Sequence, residues 1–428
     1  MIEPKVNNIH EIQKTLILLA VPDDKRKLTF GCFIPHMNYP KIILARGKEL
    51  ALQRRHPWIF SGAISKKEGN LQDGDLAEVF AANGNYLATG FYAGGSIAVR
   101  IISFTKCEIN EHFWTQKIKA AWHYRNQLGI LNKDTNVCRL FFGEGDGVPG
   151  LILDYYNGHV VLQAHAGGVH HFRNEIASAL KTVLGHSLKS IFDKSAETLS
   201  KQMAVSVQNG FLYGSLNESL MVNENGHRFK IDFIKGQKTG FFIDQRDNRS
   251  LLARYCSGKN VLNTFSYTGG FSIYAAAAGA GLVHSVDVSQ SAIELCKENA
   301  ALNDLKNHEA FVSDTFDFLK DKKNIYDVIV LDPPAFAKSR DSKHNAVIAY
   351  KRLNAMAIQL IKSGGILFTF SCSGVIDKYL FYNTITAAAI EAGRNIKVLH
   401  YLHQPPDHPV TPWFPEGEYL KGMVLWVE

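Results

Sequence analysis

The sequence uses cysteine sparingly and never in close pairs. Its six cysteines, Cys32, Cys107, Cys138, Cys256, Cys296 and Cys372, are scattered along 428 residues with no C-x-x-C among them. That scatter argues against a zinc site or a disulfide framework, so free thiols in a reducing compartment are expected. Long apolar runs are also lacking. Residues 16–21 form such a run, far short of the roughly 20 residues that a membrane-spanning helix needs. No internal repeat and no low-complexity tract occurs. The N-terminus has neither a basic start nor a small-residue cleavage site. The expectation is a cytoplasmic protein without metal or membrane, its oligomeric state left open, a homodimer included.

What is present is ordinary globular composition, 46% hydrophobic and 20% charged. The length gives room for about three domains. Lys plus Arg is 47 against 40 acidic residues, a net charge of +7. A mildly basic surface admits a nucleic-acid partner without requiring one.

Residues 1–38 stand apart. A short amphipathic helix over 9–21 and a charged stretch at 23–27 precede Met37, and the organised pattern begins only at Tyr39. This segment reads as a poorly packed leader, an upstream extension from a misplaced start codon. Residues 39–110 read as a β-rich unit. A helix is expected over 47–56, and Asn83-Gly84 between apolar runs marks a hairpin. Residues 111–218 read as an α+β unit with a long helix over 111–128. Residues 219–428 open with a hairpin. From 246 onward they alternate helix and apolar strand, which implies a parallel sheet covered on both faces.

In such sheets ligands bind at the carboxyl ends of the strands, at the switch point. The first strand runs into Phe265-Ser266-Tyr267-Thr268-Gly269-Gly270, the second ends at Asp287, the third at Asp314 and the fourth at Asp332. A carboxylate at the second strand end suits a ribose diol, because it accepts two hydroxyl hydrogens. Phe265 and Tyr267 stand where a dinucleotide loop needs glycine to approach a pyrophosphate. The loop therefore suits S-adenosylmethionine, which has no phosphate, with Asp314 accepting from the adenine amino group. The plain alternative for each acid is a solvated helix cap.

Asp332-Pro333-Pro334-Ala335-Phe336 follows the fourth strand. Its prolines donate no hydrogen bond and hold the loop extended, so it offers acceptors and an aromatic ring, as a flipped nucleobase requires. The fifth strand, expected beside the fourth, runs into Ser371-Cys372-Ser373-Gly374. A thiolate there suits attack on C6 of a pyrimidine, which makes C5 nucleophilic toward a methyl donor. The alternative is a cysteine that serves as a small hydrophobe.

These motifs carry a resemblance. The stretch from Gly236 to Arg249 (GQKTGFFIDQRDNR), Asn263 to Phe271, Asp332-Pro333-Pro334-Ala335-Phe336 and Ser371-Cys372-Ser373-Gly374 resemble the bacterial class I ribosomal RNA large-subunit methyltransferases that form 5-methylcytidine. Residues 54–63 resemble their PUA domain. The resemblance spans about residue 40 to the end. It implies an N-terminal PUA domain, a central α+β domain, a Rossmann-like methyltransferase domain and the donor S-adenosylmethionine. By motif, Cys372 would be the covalent nucleophile, and Asp332 would contact the cytosine N3 and exocyclic edge, with Pro333 and Phe336 beside the base. Phe265, Tyr267, Gly269, Asp287 and Asp314 would line the donor site, and Phe242, Gln245 and Arg246 would close over it. Ala335 departs from the family, which commonly has lysine there.

Large-subunit ribosomal RNA is then the expected partner. Arg46, Lys48, Arg54, Arg55 and His56 cluster with Trp58 and Phe60, pairing cations for phosphates with rings for unpaired bases. A solvated helix face with a buried Trp58 is the alternative. Two rival functions remain: methyl transfer to a purine nitrogen, which needs no cysteine, and a non-catalytic RNA-binding assembly factor.

Overall fold

Alternating apolar residues build a six-stranded N-terminal sheet from β1 (Lys41–Leu44), β2 (Trp58–Phe60), β3 (Ile64–Glu68), β4 (Leu76–Phe80), β5 (Tyr86–Tyr92) and β6 (Ile97–Ser103). The spatial order is β2-β6-β5-β4-β1-β3. The computed structural model describes residues 39–200, 204–337 and 340–428, so the helix expected over 9–21 and the leader lie outside the described residues. The helix expected over 47–56 is only one turn, α1 (Leu50–Gln53). Gly47 and Arg55 are both left-handed, at φ +83 and +64, and Pro57 follows, so the helix cannot extend either way.

Helix α2 (Glu111–Gln127) begins where Asn110 accepts a hydrogen bond from the Phe113 N–H. It covers a second sheet of β7 (Val137–Phe142), β8 (Leu151–Tyr156), β9 (His159–Ala164), β10 (Ser190–Asp193) and β11 (Gly210–Gly214), with α3 (Gly167–His171) and α4 (Arg173–Leu184) after β9. The period of two sends Leu151, Leu153, Leu162 and Ala164 into a core with Trp114 and Ile118 of α2 and Ile176 and Leu180 of α4. The opposite face splits in two. Val161 packs on the hairpin of β12 (Leu220–Glu224) and β13 (His227–Ile231), while Ile152 and Gln163 line a cleft.

The C-terminal part runs α5 (Arg246–Ala253), β14 (Asn260–Thr264), α6 (Gly270–Ala277), β15 (Leu282–Asp287), α7 (Gln290–Leu302), β16 (His308–Val312), α8 (Thr315–Leu319), β17 (Val328–Leu331), α9 (Lys343–Leu360), β18 (Gly365–Ser371), α10 (Lys378–Ala392), β19 (Ile396–Leu402) and β20 (Lys421–Val427). Seven strands stand in the order β16-β15-β14-β17-β18-β20-β19, a doubly wound Rossmann-like sheet whose order reverses between β14 and β17. One core packs Ile329, Leu331 and Leu367 under α9 and α10; the other packs Val261, Val330 and Phe368 under α5 and α6. The sheet is not wholly parallel, as the alternation implied. β20 lies antiparallel between β18 and β19, because residues 403–420 leave and re-enter the sheet at the same end, where Leu402 stands opposite Gly422.

That returning segment is pinned by charge. Arg246 donates to both carboxylate oxygens of Asp407, at 3.0 and 3.1 Å, and both side chains are buried. Asp407 also accepts from the Arg139 N–H at 3.1 Å, and its carbonyl accepts from Arg125 at 2.8 Å. Burial pushes the Asp407 carboxyl up, but the charges of His408 and Arg246 outweigh it and hold the group well below the usual carboxylate range. Asp407→Ala leaves a buried guanidinium with only the long 3.4 Å contact to exposed Asp247. The expected cost is about 3–5 kcal/mol, read as a lowered urea midpoint. An unchanged midpoint would mean that the pair carries no load.

Candidate active site

The loop after β14 is strained where the sequence is bulky. Phe265 and Tyr267 take left-handed φ of +53 and +46, a region that costs such residues about 1–2 kcal/mol. Neighbouring hydrogen bonds hold the shape. The Ser266 N–H donates to the Val286 carbonyl at 3.0 Å, and the Tyr267 N–H to Asp287 Oδ2 at 2.9 Å. The Tyr267 hydroxyl accepts from the Gln237 N–H at 3.1 Å and donates to the Gly240 carbonyl at 3.3 Å. Asp287 Oδ1 accepts from the Ser289 N–H at 2.9 Å. Each Asp287 oxygen is thus aimed by one backbone donor and keeps a further lone pair.

Gly269 has a packing task as well. Its N–H donates to the Ser266 carbonyl, and a Cβ on it would stand 2.5 Å from Cys296 Sγ of α7. It lets the loop close onto α7. Arg246 is paired through Nη1 and Nη2 with Asp407 and approaches Asp247 through Nε at 3.4 Å. Asp314 caps α8, its Oδ1 accepting from the N–H groups of Phe316 and Asp317 at 2.8 and 3.2 Å.

The reactive end lies on the paired strands β17 and β18. Half-buried Asp332 follows β17, and half-buried Cys372 follows β18. Burial and the charge of Asp244 raise the Asp332 carboxyl to about 7, against a hydrogen bond from Gln245. Gln245 is oriented for this, since its Oε1 accepts from Asn248 at 2.7 Å. Burial pushes the Cys372 thiol up; Lys238 pulls it down, and Asp332 and Asp244 push it further up. Pro333 is buried, and the Phe336 ring lies 4.7 Å from that of Tyr350, tilted by 54°, so one side of it packs on protein. Lys421, whose ammonium burial lowers to about 8, donates to the Ser373 and Ile376 carbonyls at 2.6 and 2.7 Å. It fixes the loop that carries Cys372.

Sequence reasoning missed Asp244, Tyr419 and Lys421. Asp244 lies in the quoted 236–249 stretch; Tyr419 and Lys421 lie in a segment without periodicity. Tyr419 donates to Asp244 Oδ2 at 2.6 Å, while the buried Asp244 Oδ1 has no hydrogen-bond partner among the described residues. Phe242 meets Tyr267 edge to face, 5.1 Å between centroids, with Lys238 Nζ 4.6 Å from the Phe242 ring centre.

The N-terminal cluster is only partly free. Arg46, Lys48, Arg54 and Arg55 are exposed, with Arg55 over the Phe104 ring at 5.0 Å. Trp58, expected as a stacking platform, donates to Glu144 Oε1 at 2.8 Å and meets Phe414 edge-on at 4.6 Å. It fastens the first sheet to the rest of the protein; Phe60 stays exposed. Among the described residues no cluster of His, Cys, Asp and Glu could hold a metal, and no helix is long and apolar enough to cross a membrane.

A doubly wound sheet with acids at successive strand ends and no phosphate-cradling glycine loop is an architecture suited to an adenosine cofactor without a pyrophosphate. Known proteins agree. Residues 195–417 match the model of an S-adenosylmethionine-dependent methyltransferase family, and residues 42–104 that of a PUA-like domain. The chain is 41% identical over 392 residues to ribosomal RNA large subunit methyltransferase I of Aeromonas salmonicida, covering 90% of this chain and 98% of that one. The Escherichia coli protein of the same name is 39% identical over 396 residues, covering 90% and 99%. A Streptococcus mutans structure provisionally described as a SAM-dependent methyltransferase superposes with a TM-score of 0.78 at 25% identity, over 90% of this chain and 99% of that one. The chain belongs to the S-adenosylmethionine-dependent methyltransferase family. It is an enzyme whose cofactor is S-adenosylmethionine, with a PUA-like domain ahead of the catalytic sheet.

Gly269→Ala adds a methyl group against Cys296 at a left-handed position. A stability loss of about 1–3 kcal/mol is expected, partly recovered when Cys296→Ala makes room. Equal thermal midpoints for the single variant and the parent would contradict the packing role.

Proposed function

We propose that the enzyme methylates C5 of a cytidine in large-subunit ribosomal RNA through a covalent adduct on Cys372. The observation that carries this is a thiol with open surface at the end of β18, beside the strand that delivers Asp332. Of the other described cysteines, Cys138, Cys256 and Cys296 are sealed in cores, and Cys107 lies in the linker after β6. The relatives' name supplies the RNA class, the PUA-like domain suits RNA, and ribosomal RNA implies a cytoplasmic site of action.

The residues fit S-adenosylmethionine. Asp287 keeps lone pairs for the ribose hydroxyls. Phe265 and Tyr267 would border the adenosine, Phe242 would close over it, and Asp314 Oδ2 would be left for the adenine amino group. When bound, the cofactor supplies an electrophilic methyl group. Gln245 acts one step back, by orienting Asp332. Arg54 and Arg55 bind RNA phosphates outside the crevice.

The chemistry of the chain follows from one shared proton. With the Cys372 thiol pushed up and Asp332 near neutrality, the competent state holds a single proton between them. As sulfur bonds to C6, the ring electrons move toward N3, and the proton passes through Asp332 to N3. C5 thereby becomes nucleophilic. Once C5 has gained the methyl group, its proton passes to solvent water and its bonding electrons re-form the C5–C6 double bond, so the sulfur leaves as thiolate and recovers the N3 proton through Asp332.

Cys372→Ala is expected to lower methylation by more than about a thousandfold without weakening cofactor binding, and RNA bearing 5-fluorocytidine at the target should trap the parent enzyme but not this variant. Normal turnover by Cys372→Ala would redirect the methyl group to a nitrogen.

The pH dependence follows from the same pair. Below about pH 7 both groups are protonated and the rate climbs with pH; above it a plateau extends until the thiol ionises beyond its ordinary range. Asp332→Asn removes the limb near 7, so its residual rate should keep climbing through the thiol's own ionisation. A variant profile that still levels near 7, measured as kcat/KM for RNA, would assign that limb elsewhere.

A further inference from the structure

The open face of the central sheet floors a cavity of about 580 Å³, bordered by Ile152 of β8, Gln163 of β9 and His165 just beyond it. Its far end is made by Phe242, Asp244 and Tyr419 of the active site, but neither Asp332 nor Cys372 lines it. Ile152 and His165 also line a second cavity of about 270 Å³, whose other walls include Trp58 and Arg100 of the PUA-like domain. The two cavities therefore adjoin at Ile152 and His165, one toward the N-terminal sheet and the other toward Asp244 and Tyr419.

The floor has an uncommitted polar group. Gln163 is only 6% exposed, yet its side-chain amide forms no hydrogen bond to any described residue. Its amide is not sealed from solvent but faces the cavity, free to pair with what enters. An amide offers an acceptor beside a donor, which complements the donor–acceptor edge of a nucleobase. His165 is open to solvent within the crowded cleft, whose walls and Arg139 lower its imidazole, so near pH 7 it presents a neutral ring for stacking. Lys235 and Lys238 are exposed on the rim and form no ion pair with a described carboxylate, which leaves them to phosphates. Lys194 donates to the Phe233 and Gly236 carbonyls, Glu197 accepts from Asn209, and Arg139 is paired with Asp154, while Asp244 at the far end keeps one oxygen unpartnered among the described residues.

We propose that this cavity seats the unpaired nucleotide adjoining the target, its base edge on Gln163 and its ring against His165, and that the RNA strand continues past Trp58 and Arg100. The proposal rests on the reading of the enzyme as an RNA methyltransferase and adds the seat of a second nucleotide. It makes single-stranded RNA, or a duplex opened over at least two nucleotides, the preferred substrate.

The test uses the full-length enzyme and large-subunit ribosomal RNA carrying 4-thiouridine next to the mapped methylated nucleotide. Irradiation should join that position to the peptide around residues 159–165. Gln163→Ala and His165→Ala should each raise KM for RNA roughly tenfold, with kcat and the calorimetric affinity for S-adenosylmethionine within about twofold of the parent. Crosslinks confined to other peptides in an enzyme that still methylates would overturn the seat, as would unaltered KM in both variants. A fall in cofactor affinity would mean that the cavity belongs to the cofactor instead. Crosslinking at 159–165 with a product other than 5-methylcytidine would sink the cytosine reading and leave the seat standing.

Discussion

Buried arginine–carboxylate pairs hold residues 237–249 in place, and the active site hangs from that segment. Thr239 donates to Asp154 at 2.6 Å, and Asp154 is itself paired with Arg139. Arg249 grips both oxygens of Glu224 in the hairpin, at 2.9 and 2.8 Å, and donates to the Phe242 carbonyl at 2.9 Å. Arg246 holds Asp407 in the segment that returns before β20. Taking these charges from water is expensive, and apolar substitutes would cost less. The pairs instead fix geometry, because a guanidinium meets a carboxylate along two parallel hydrogen bonds and tolerates little sliding. Phe242, Asp244 and Gln245 lie between these anchors and inherit their positions.

This explains how Asp332 becomes unusual. A carboxyl at a strand end would ordinarily titrate near its solution value. Here Asp244 approaches from the anchored segment and adds a like charge to the effect of burial. Tyr419 fixes one Asp244 oxygen and leaves the other unpartnered. The crevice thus gathers acidic groups at this end of the sheet, with Lys238 as the nearby counter-charge. Burial, reinforced by the same acids against the pull of Lys238, favours the protonated Cys372 thiol, which protects it from casual oxidation.

The sheets are also coupled through residues 403–420. Asp407 and His408 pack against the central sheet, Phe414 against His56 and Trp58 of the first sheet, and Tyr419 reaches the active site. An aromatic cluster that reads as an RNA platform in sequence is therefore partly a joint between sheets. The cations beside it, Arg54 and Arg55, remain at the surface.

The sequence by itself determined the succession of helices and strands in the catalytic half, the acids at its strand ends, and the loop in which bulky residues replace a phosphate-binding glycine pattern. These are local properties, set by periodicity and by what the backbone allows at each residue. Tertiary structure alone decided that Gly269 packs on Cys296, that Arg246 belongs to Asp407 across 161 positions of chain, and that β20 enters the sheet antiparallel. It also decided the ionisation of Asp332 and the company of Cys372. Each of these depends on groups far apart in the chain that meet in a low-dielectric interior, and no local pattern encodes which distant charge or sulfur will be waiting there.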